Sequence, residues 1–546
     1  MSLALSSDTL QGNCRRTGRP LIAMFVLIIA SAGVPLHAQQ NADDDLLKTL
    51  RDNGAITQEQ YEALKKKYEK STTTEPAKEA PKTAEETKPQ GAKEEGEGVK
   101  LKVGGFIEGA GIFRSRNETA DVNSSYNGGV PFPSNPNYNI PEVRGSARQS
   151  RLSLLATGDA DKDTALAAYF ELDFLGVGIT SNSNESNSYV PRIRQAYATY
   201  ARSDWGMYFL FGQSWSLLTM DKVDITPRQE NIPYTIDAQY TVGFNWSRNM
   251  QLRAVKEWES GFSLGFSVES AQAIVNADAT PANLGTVSTC GSTICYANPG
   301  GSGGLLNNGA AFPSGALALY STNFAPDMIL KATLDPGYGH YELYGVGRVF
   351  SDNIDGGNST RYGGGIGGST ILPLISKKLD FQASFLWGEG IGRYGSTQLP
   401  DVTIKPNGEL QPVPGLDWLL GLVAHPSESL DLYLYGGQER VTETSYGPNF
   451  GYGNPARDTK DCFTGVGVVY TSCAADTSNV WQIQLGDWWK FYQGKAGMME
   501  IGASYSYLRR NAFAGTAGAP STNDNIVMLS FRYYPFQPVP ASYLRP

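Results

Sequence analysis

Phe262-Ser263-Leu264-Gly265-Phe266-Ser267-Val268-Glu269 is the stretch on which the fold turns. Side chains alternate across an extended strand, so Phe262, Leu264, Phe266 and Val268 share one face and Ser263, Gly265, Ser267 and Glu269 the other. The same period of two returns in Met328 to Leu334, Leu379 to Phe385 and Val527 to Tyr533. A soluble sandwich alternates too, so the segments between the strands decide. Short turns at 335–339, 426–429 and 493–497 alternate with long polar segments such as 271–325. Short turns at one end and long loops at the other is the topology of a membrane barrel. Hairpin by hairpin, strands fall near 101–114, 148–157, 165–175, 191–201, 206–215, 248–257, 262–270, 327–335, 340–350, 362–374, 379–389, 416–425, 430–441, 479–490, 498–509 and 525–536. The expected fold class is therefore an all-β transmembrane barrel of about 16 antiparallel strands over 100–536, followed by a tail at 537–546, with the count open by two.

Outward from the strands, the amino terminus carries an export signal. Arg15, Arg16 and Arg19 precede an apolar run from Leu21 to Gly33 and then Pro35-Leu36-His37-Ala38, which reads as a signal peptide over 1–38. The alternative is a retained inner-membrane anchor, for which the run is short, since a spanning helix needs about 20 residues. No later stretch is long and apolar, so membrane insertion requires a barrel, the one other fold that satisfies its backbone in lipid. Composition agrees: 61 Gly, 29 Tyr, 22 Phe and 9 Trp accompany only 40% hydrophobic and 18% charged residues in 546. A barrel needs every second strand residue apolar, so a polar average is expected of it. The destination is the outer membrane of a Gram-negative cell, with the amino-terminal segment in the periplasm.

Residues 39–70 read as helical. Thr57 and Gln60 form a capping box, and Tyr61, Leu64 and Tyr68 make one apolar stripe. A helix this short needs a partner, either copies of itself in a coiled-coil neck or the barrel surface. Residues 71–99 are Lys, Glu, Pro, Thr, Ala and Gly without apolar periodicity, a flexible charged linker. Cys290 with Cys295 and Cys462 with Cys473 are two close pairs in loop-like sequence and read as disulfides in an oxidising compartment. The histidines are His37, His340 and His425, none beside a cysteine pair, so no metal site is expected. A net charge of -9 without a basic aromatic stripe gives no reason to expect a nucleic-acid partner.

Two motifs have plain explanations. Gly363, Gly365 and Gly368 match a dinucleotide-binding pattern, but no strand-helix unit surrounds them, so a glycine-rich barrel strand is expected. Gly212-Gln213-Ser214-Trp215-Ser216 lacks the final glycine of a nucleophile elbow, and no catalytic residue is expected. Function is expected instead from basic side chains whose parity turns them into the lumen: Arg151, Arg192, Arg194, Arg253, Lys331, Arg348, Lys490 and Arg532. Facing lipid, each would cost roughly 2–4 kcal/mol at mid-depth. The plain alternative is pairing with the lumen carboxylates Glu108, Glu171, Asp173, Glu269, Glu342, Asp380, Asp431, Glu439 and Glu500. Pairing is favoured residue by residue, whereas the adjacent Arg192 and Arg194 point to solute contact.

Several phrases resemble the DcaP-like porins and the related phosphate-selective porin O/P group. They are Arg192-Ile193-Arg194-Gln195-Ala196-Tyr197, Gly388 to Tyr394, Trp488 to Gly494, Gly502 to Tyr507, Ser530 to Phe536, and the amino-terminal Gly54 to Tyr61. The likeness touches most of the chain after residue 38. It implies a homotrimeric sixteen-stranded porin with a helical periplasmic extension, passing small, often anionic solutes such as dicarboxylates, with no enzyme activity and no cofactor. It also implies outer-membrane lipid, lipopolysaccharide and the barrel-assembly machinery as partners. In many trimeric porins the third loop folds inward; here that loop runs from Ser216 to about Asn249, which would set Lys222 and Arg228 across a constriction from Arg192 and Arg194. Two features depart from the pattern: Phe536 is followed by residues 537–546 instead of ending the chain, and lumen arginines are not in evident excess.

Other functions make different demands. A phosphate-specific pore requires a ladder of basic residues at several depths. A barrel enzyme needs a catalytic group with His or metal on the outer rim, whereas His340 and His425 adjoin short turns. An adhesin would use the long loops, such as 300–315, and keep the pore closed. A TonB-dependent transporter needs a plug domain, for which 39–99 has no room.

Overall fold

The computed structural model describes residues 58, 98–120, 122, 126–176, 190–276, 289–290, 293–294, 304–305, 321, 323–352, 359–447, 450–463 and 473–536. The expected signal peptide and tail lie outside these residues, as do the amino-terminal helix apart from Gln58 and the linker apart from Gly98 and Val99, of which Val99 already belongs to the first strand.

Sixteen antiparallel strands close into a barrel. In chain order they are β1 (Val99–Arg114), β2 in two pieces (Glu142–Ser146 and Arg151–Asp161), β3 (Thr164–Gly176), β4 (Val190–Arg202), β5 (Met207–Trp215), β6 (Arg248–Glu257), β7 (Phe262–Glu269) and β8 (Asp327–Leu334). The second half comprises β9 (His340–Asp352), β10 (Ser359–Ile375), β11 (Leu379–Glu389), β12 (Pro414–Ser427), β13 (Leu430–Val441), β14 (Thr477–Gly494), β15 (Gly497–Ala512) and β16 (Ser521–Tyr534). Both pieces of β2 pair with β1, from Phe106↔Arg151 downward and from Ala110↔Ser146 upward. The ring closes between β1 and β16, in register from Ile107↔Tyr533 to Arg114↔Ile526. Every strand expected from the sequence is present.

The segment that decided the reading is inside out by soluble-protein standards. On β7, Leu264 is 36% and Phe266 45% exposed, while Ser263 is 1% and Ser267 and Glu269 are 0% exposed. Ile107, Phe211, Leu252, Leu330, Leu343 and Leu485 continue the exposed apolar surface around the barrel. An apolar outside and a polar inside excludes the sandwich and requires hydrocarbon as the outer solvent. The chain is an outer-membrane barrel. Gly363, Gly365 and Gly368 lie on β10 as expected; a Cβ at Gly365 would come within 2.8 Å of the Trp387 carbonyl, a close approach that favours glycine there.

Among the described residues, two of the long loops pack into the barrel. The third, 216–247, lies against several wall strands: Tyr208 Oη on β5 donates to the Ile225 carbonyl at 2.6 Å, Gly243 N to Glu439 on β13 at 2.8 Å, and Trp488 Nε1 on β14 to the Tyr234 carbonyl at 2.6 Å. Leu217, Leu218, Ile225, Ile236, Val242 and Phe244 are buried against inward-facing aliphatic and aromatic side chains. The first loop also packs inward, with Arg510 Nη1 donating to the Val130 carbonyl at 3.1 Å. In the seventh loop Cys462 and Cys473 form the expected disulfide; the Cys290 and Cys295 pairing lies outside the described residues.

Candidate functional site

A register shift on β4 builds a basic patch of the inner wall. Gln195 pairs with Glu171 and Ile193 with Leu172, so Arg194 is an extra residue between them. Tyr197 and Thr199 point inward, which by strict alternation would turn Arg192 and Arg194 toward lipid. The bulge resets the parity, leaving Ile193 52% exposed outside and both Arg194 and Gln195 buried inside.

Arg192 and Arg194 are held by carboxylates of β3. Arg192 grips Asp173 through Nε at 3.0 Å and Nη2 at 2.8 Å. Arg194 reaches Glu171 at 2.6 Å and Asp173 at 2.9 Å. Tyr169 Oη donates to the other Glu171 oxygen at 3.0 Å, so this pair of carboxylates is well supplied with donors.

Two further guanidiniums in the same field are not paired with carboxylates among the described residues. Arg151, on β2, lies 5.2 Å from the centroid of the Phe106 ring, and its Nε is buried without an acceptor. Arg248, where the third loop rejoins β6, donates through Nη2 to Gln239 at 2.8 Å and leaves Nη1 buried without an acceptor. Its guanidinium lies 4.9 Å from the Trp215 ring and 5.1 Å from that of Trp246. Four guanidiniums therefore meet two strand carboxylates. Arg151 and Glu171, with Phe106, Ser153, Tyr169 and Tyr534, line a cavity of about 510 Å³ at the short-turn end.

The third loop brings one carboxyl, Asp237, toward this patch and buries a second, Glu230, beside Asp221 and Arg253. Burial pushes Asp237 up to about 7, opposed most by the pull of Arg114, with Arg192 and Arg151 also acting on it. Burial likewise pushes Glu230 up to about 7, and the charge of Asp221 adds to the rise.

The other expected lumen residues are inside and engaged. Arg253 donates to Gln251 at 3.0 Å and to the Trp215 carbonyl at 2.5 Å. Lys331 is fully buried between Asp221 at 2.7 Å and Glu342 at 2.6 Å. Arg348 joins Asp327 at 3.2 Å to Asp401 at 2.6 Å, and Arg532 joins Glu108 at 3.2 Å to the Ile236 carbonyl at 3.1 Å. Lys490 meets Asp431 at 2.6 Å. Lys222 is exposed on the third loop. Arg228 does not stand across a gap from Arg192 and Arg194: it donates to Tyr197 Oη at 2.9 Å, on the same strand, because the loop lies directly on the β3–β4 wall.

Sequence reasoning missed Arg114, Arg248 and Asp237. Arg114 shares the parity of Glu108 and was legible; it binds Glu142 at 2.9 Å. Arg248 has the opposite parity to Asn249, Gln251 and Arg253 and gave no such signal, because the loop and not the strand aims it. Asp237 belongs to a loop whose path no periodicity records. Ser214 Oγ, buried on β5, donates to Gln195 Oε1 at 3.4 Å.

No protein-family model and no curated protein matches the chain. Among solved structures, the outer membrane channel DcaP of Acinetobacter baumannii is 17% identical, with a TM-score of 0.53 over 80% of this chain and 97% of that one. The anion-selective porin of Comamonas acidovorans is 10% identical over 80% and 99%, with a TM-score of 0.41. OprB of Pseudomonas putida is 11% identical over 79% and 94%, with a TM-score of 0.41. The chain thus has the fold of the DcaP channel.

Proposed function

We propose that the chain is a DcaP-like porin, a homotrimeric passive channel of the outer membrane that favours small anionic solutes, dicarboxylates among them. The observation that carries the anion preference is the presence of Arg151 and Arg248, without a carboxylate partner among the described residues, beside Arg192 and Arg194, whose charge Glu171 and Asp173 cancel. In a confined aqueous passage with low-dielectric walls, unbalanced charge focuses the field and enriches the opposite ion. The shared fold with a channel named DcaP supports the same reading. It assigns the chain no enzyme activity and no cofactor.

A phosphate-specific pore is the weaker reading. Its ladder would need free cations at several depths, and Lys331, Arg348 and Arg532 each bind carboxylates. Liposome swelling tests the choice. Succinate is expected to enter several times faster than an uncharged diol of the same length. Equal rates, or exclusion of succinate, would overturn the anion preference.

A further inference from the structure

The sequence singles out Arg192 and Arg194 as solute contacts, but both are neutralised where they stand. Arg192 makes a two-pronged pair with Asp173, and Arg194 is 1% exposed between Glu171 and Asp173. An incoming anion would have to displace a carboxylate that is fixed to the wall and already hydrogen-bonded. Arg151 and Arg248 are different. Among the described residues neither has a carboxylate within ion-pair distance, and each keeps an N–H without an acceptor. A buried guanidinium N–H left without an acceptor is costly, and an anionic oxygen from a solute relieves that cost.

We infer that Arg151 and Arg248 are the anion-contacting residues of the channel, and that Arg192, Arg194, Glu171 and Asp173 form a neutral girder holding the wall between them. This rests on the porin reading and assigns its selectivity to two particular side chains. The surroundings of Arg248 strengthen the case. Trp215 and Trp246 flank its guanidinium, with their own rings 5.8 Å apart and edge to face. Gln239 of the third loop fixes one end of the fork. Indole faces hold a planar cation without cancelling its charge, so the charge of Arg248 stays uncompensated by any carboxylate among the described residues. Arg151 offers the same chemistry beside Phe106 at the edge of the cavity at the short-turn end. A solute anion thus has one contact where the third loop meets the wall and another in the cavity at the short-turn end.

The test compares reversal potentials in a KCl gradient and the current block produced by succinate, the probe anion, for variants shown to be folded by circular dichroism. Arg151→Gln and Arg248→Gln are each expected to lower the chloride-to-potassium permeability ratio about threefold to tenfold, as removal of one nearby charge predicts. The charge-neutral double variant Glu171→Gln with Arg194→Gln is expected to stay within about twofold of the native ratio. Arg248→Lys separates contact from field: it is expected to keep the chloride ratio yet weaken succinate block, because lysine keeps the charge and loses the fork. If the neutral double variant abolishes selectivity while Arg151→Gln and Arg248→Gln preserve it, the assignment is wrong and the porin reading stands. If the native channel is silent or prefers cations, the porin reading itself fails.

Discussion

Lys331 is the clearest place to perturb the third loop without touching the lipid-facing surface. Its ammonium is fully buried, bonded to Asp221 at 2.7 Å, Glu342 at 2.6 Å and the Thr219 carbonyl at 2.8 Å, so it fastens 219–221 of the loop to β8 and β9. Lys331→Met keeps the volume and removes the charge, leaving two buried carboxylates facing each other. Breaking a buried pair from one side costs about 3–5 kcal/mol. His340 Nε2, 3.1 Å from Glu342, remains to offset part of this, which places the expected cost near the lower end. Other anchors persist, among them Tyr208 to Ile225 and Gly243 to Glu439, so the cost falls on local opening and not on the barrel. About 3 kcal/mol corresponds to a roughly hundredfold rise in the opening constant of the latch, since 1.4 kcal/mol is a factor of ten. Native-state hydrogen exchange of the amides of 219–225 reads that constant, and single-channel current noise should rise with it. Replacing the whole set, Lys331→Met with Asp221→Asn and Glu342→Gln, should restore most of the protection. Exchange within threefold of the native rate in Lys331→Met would refute the latch.

Four other outcomes follow from the same structure. Anion preference should be stronger at pH 6 than at pH 8, because Asp237 and Glu230, both near 7, hold protons at the lower pH and add negative charge at the higher; a raised folded-state carboxyl also makes the folded state bind more protons than the unfolded chain, so stability contributed by these two groups is present at low pH and lost as pH rises toward 7. Cys462→Ser should free a loop closed over a sequence separation of 11, losing about 3 kcal/mol of local stability by chain entropy, seen as faster proteolysis in the seventh loop with the barrel intact. Phe266→Arg, on the lipid face of β7, should cost about 2–4 kcal/mol in folding into bilayers if it lies at mid-depth, whereas Ser267→Thr on the same strand should cost far less in a denaturant titration. Gly243→Ala should displace the third loop, since Gly243 has φ +88 and an added Cβ would collide with the Trp418 carbonyl; unchanged conductance in this variant would contradict the inward packing.

The barrel was legible because its rule is local. Lipid outside and water inside impose a period of two on every strand, and Ser263, Ser267 and Glu269 obey it as plainly as Leu264 and Phe266. Turn length then fixed the pairing, and the sixteen strands followed. The candidate site was half legible for the same reason. Parity placed Arg151, Lys331 and Arg348 inside, but parity carries no information about partners, and the distinction between a paired and an unpaired guanidinium is three-dimensional. Arg192 and Arg194 face inward only because the bulge at Arg194 reverses the alternation that Tyr197 and Thr199 set. Arg248 and Asp237 owe their positions to the folded path of the third loop, whose contacts with β5, β13 and β14 join residues up to 254 apart in sequence.

The most direct test of the account is single-channel recording from protein purified from outer membranes and inserted into a planar bilayer under a tenfold KCl gradient. The account predicts reproducible conductance steps and a reversal potential displaced toward that of chloride. Folded, inserted protein that gives no steps, or steps that reverse toward the potassium potential, would contradict it.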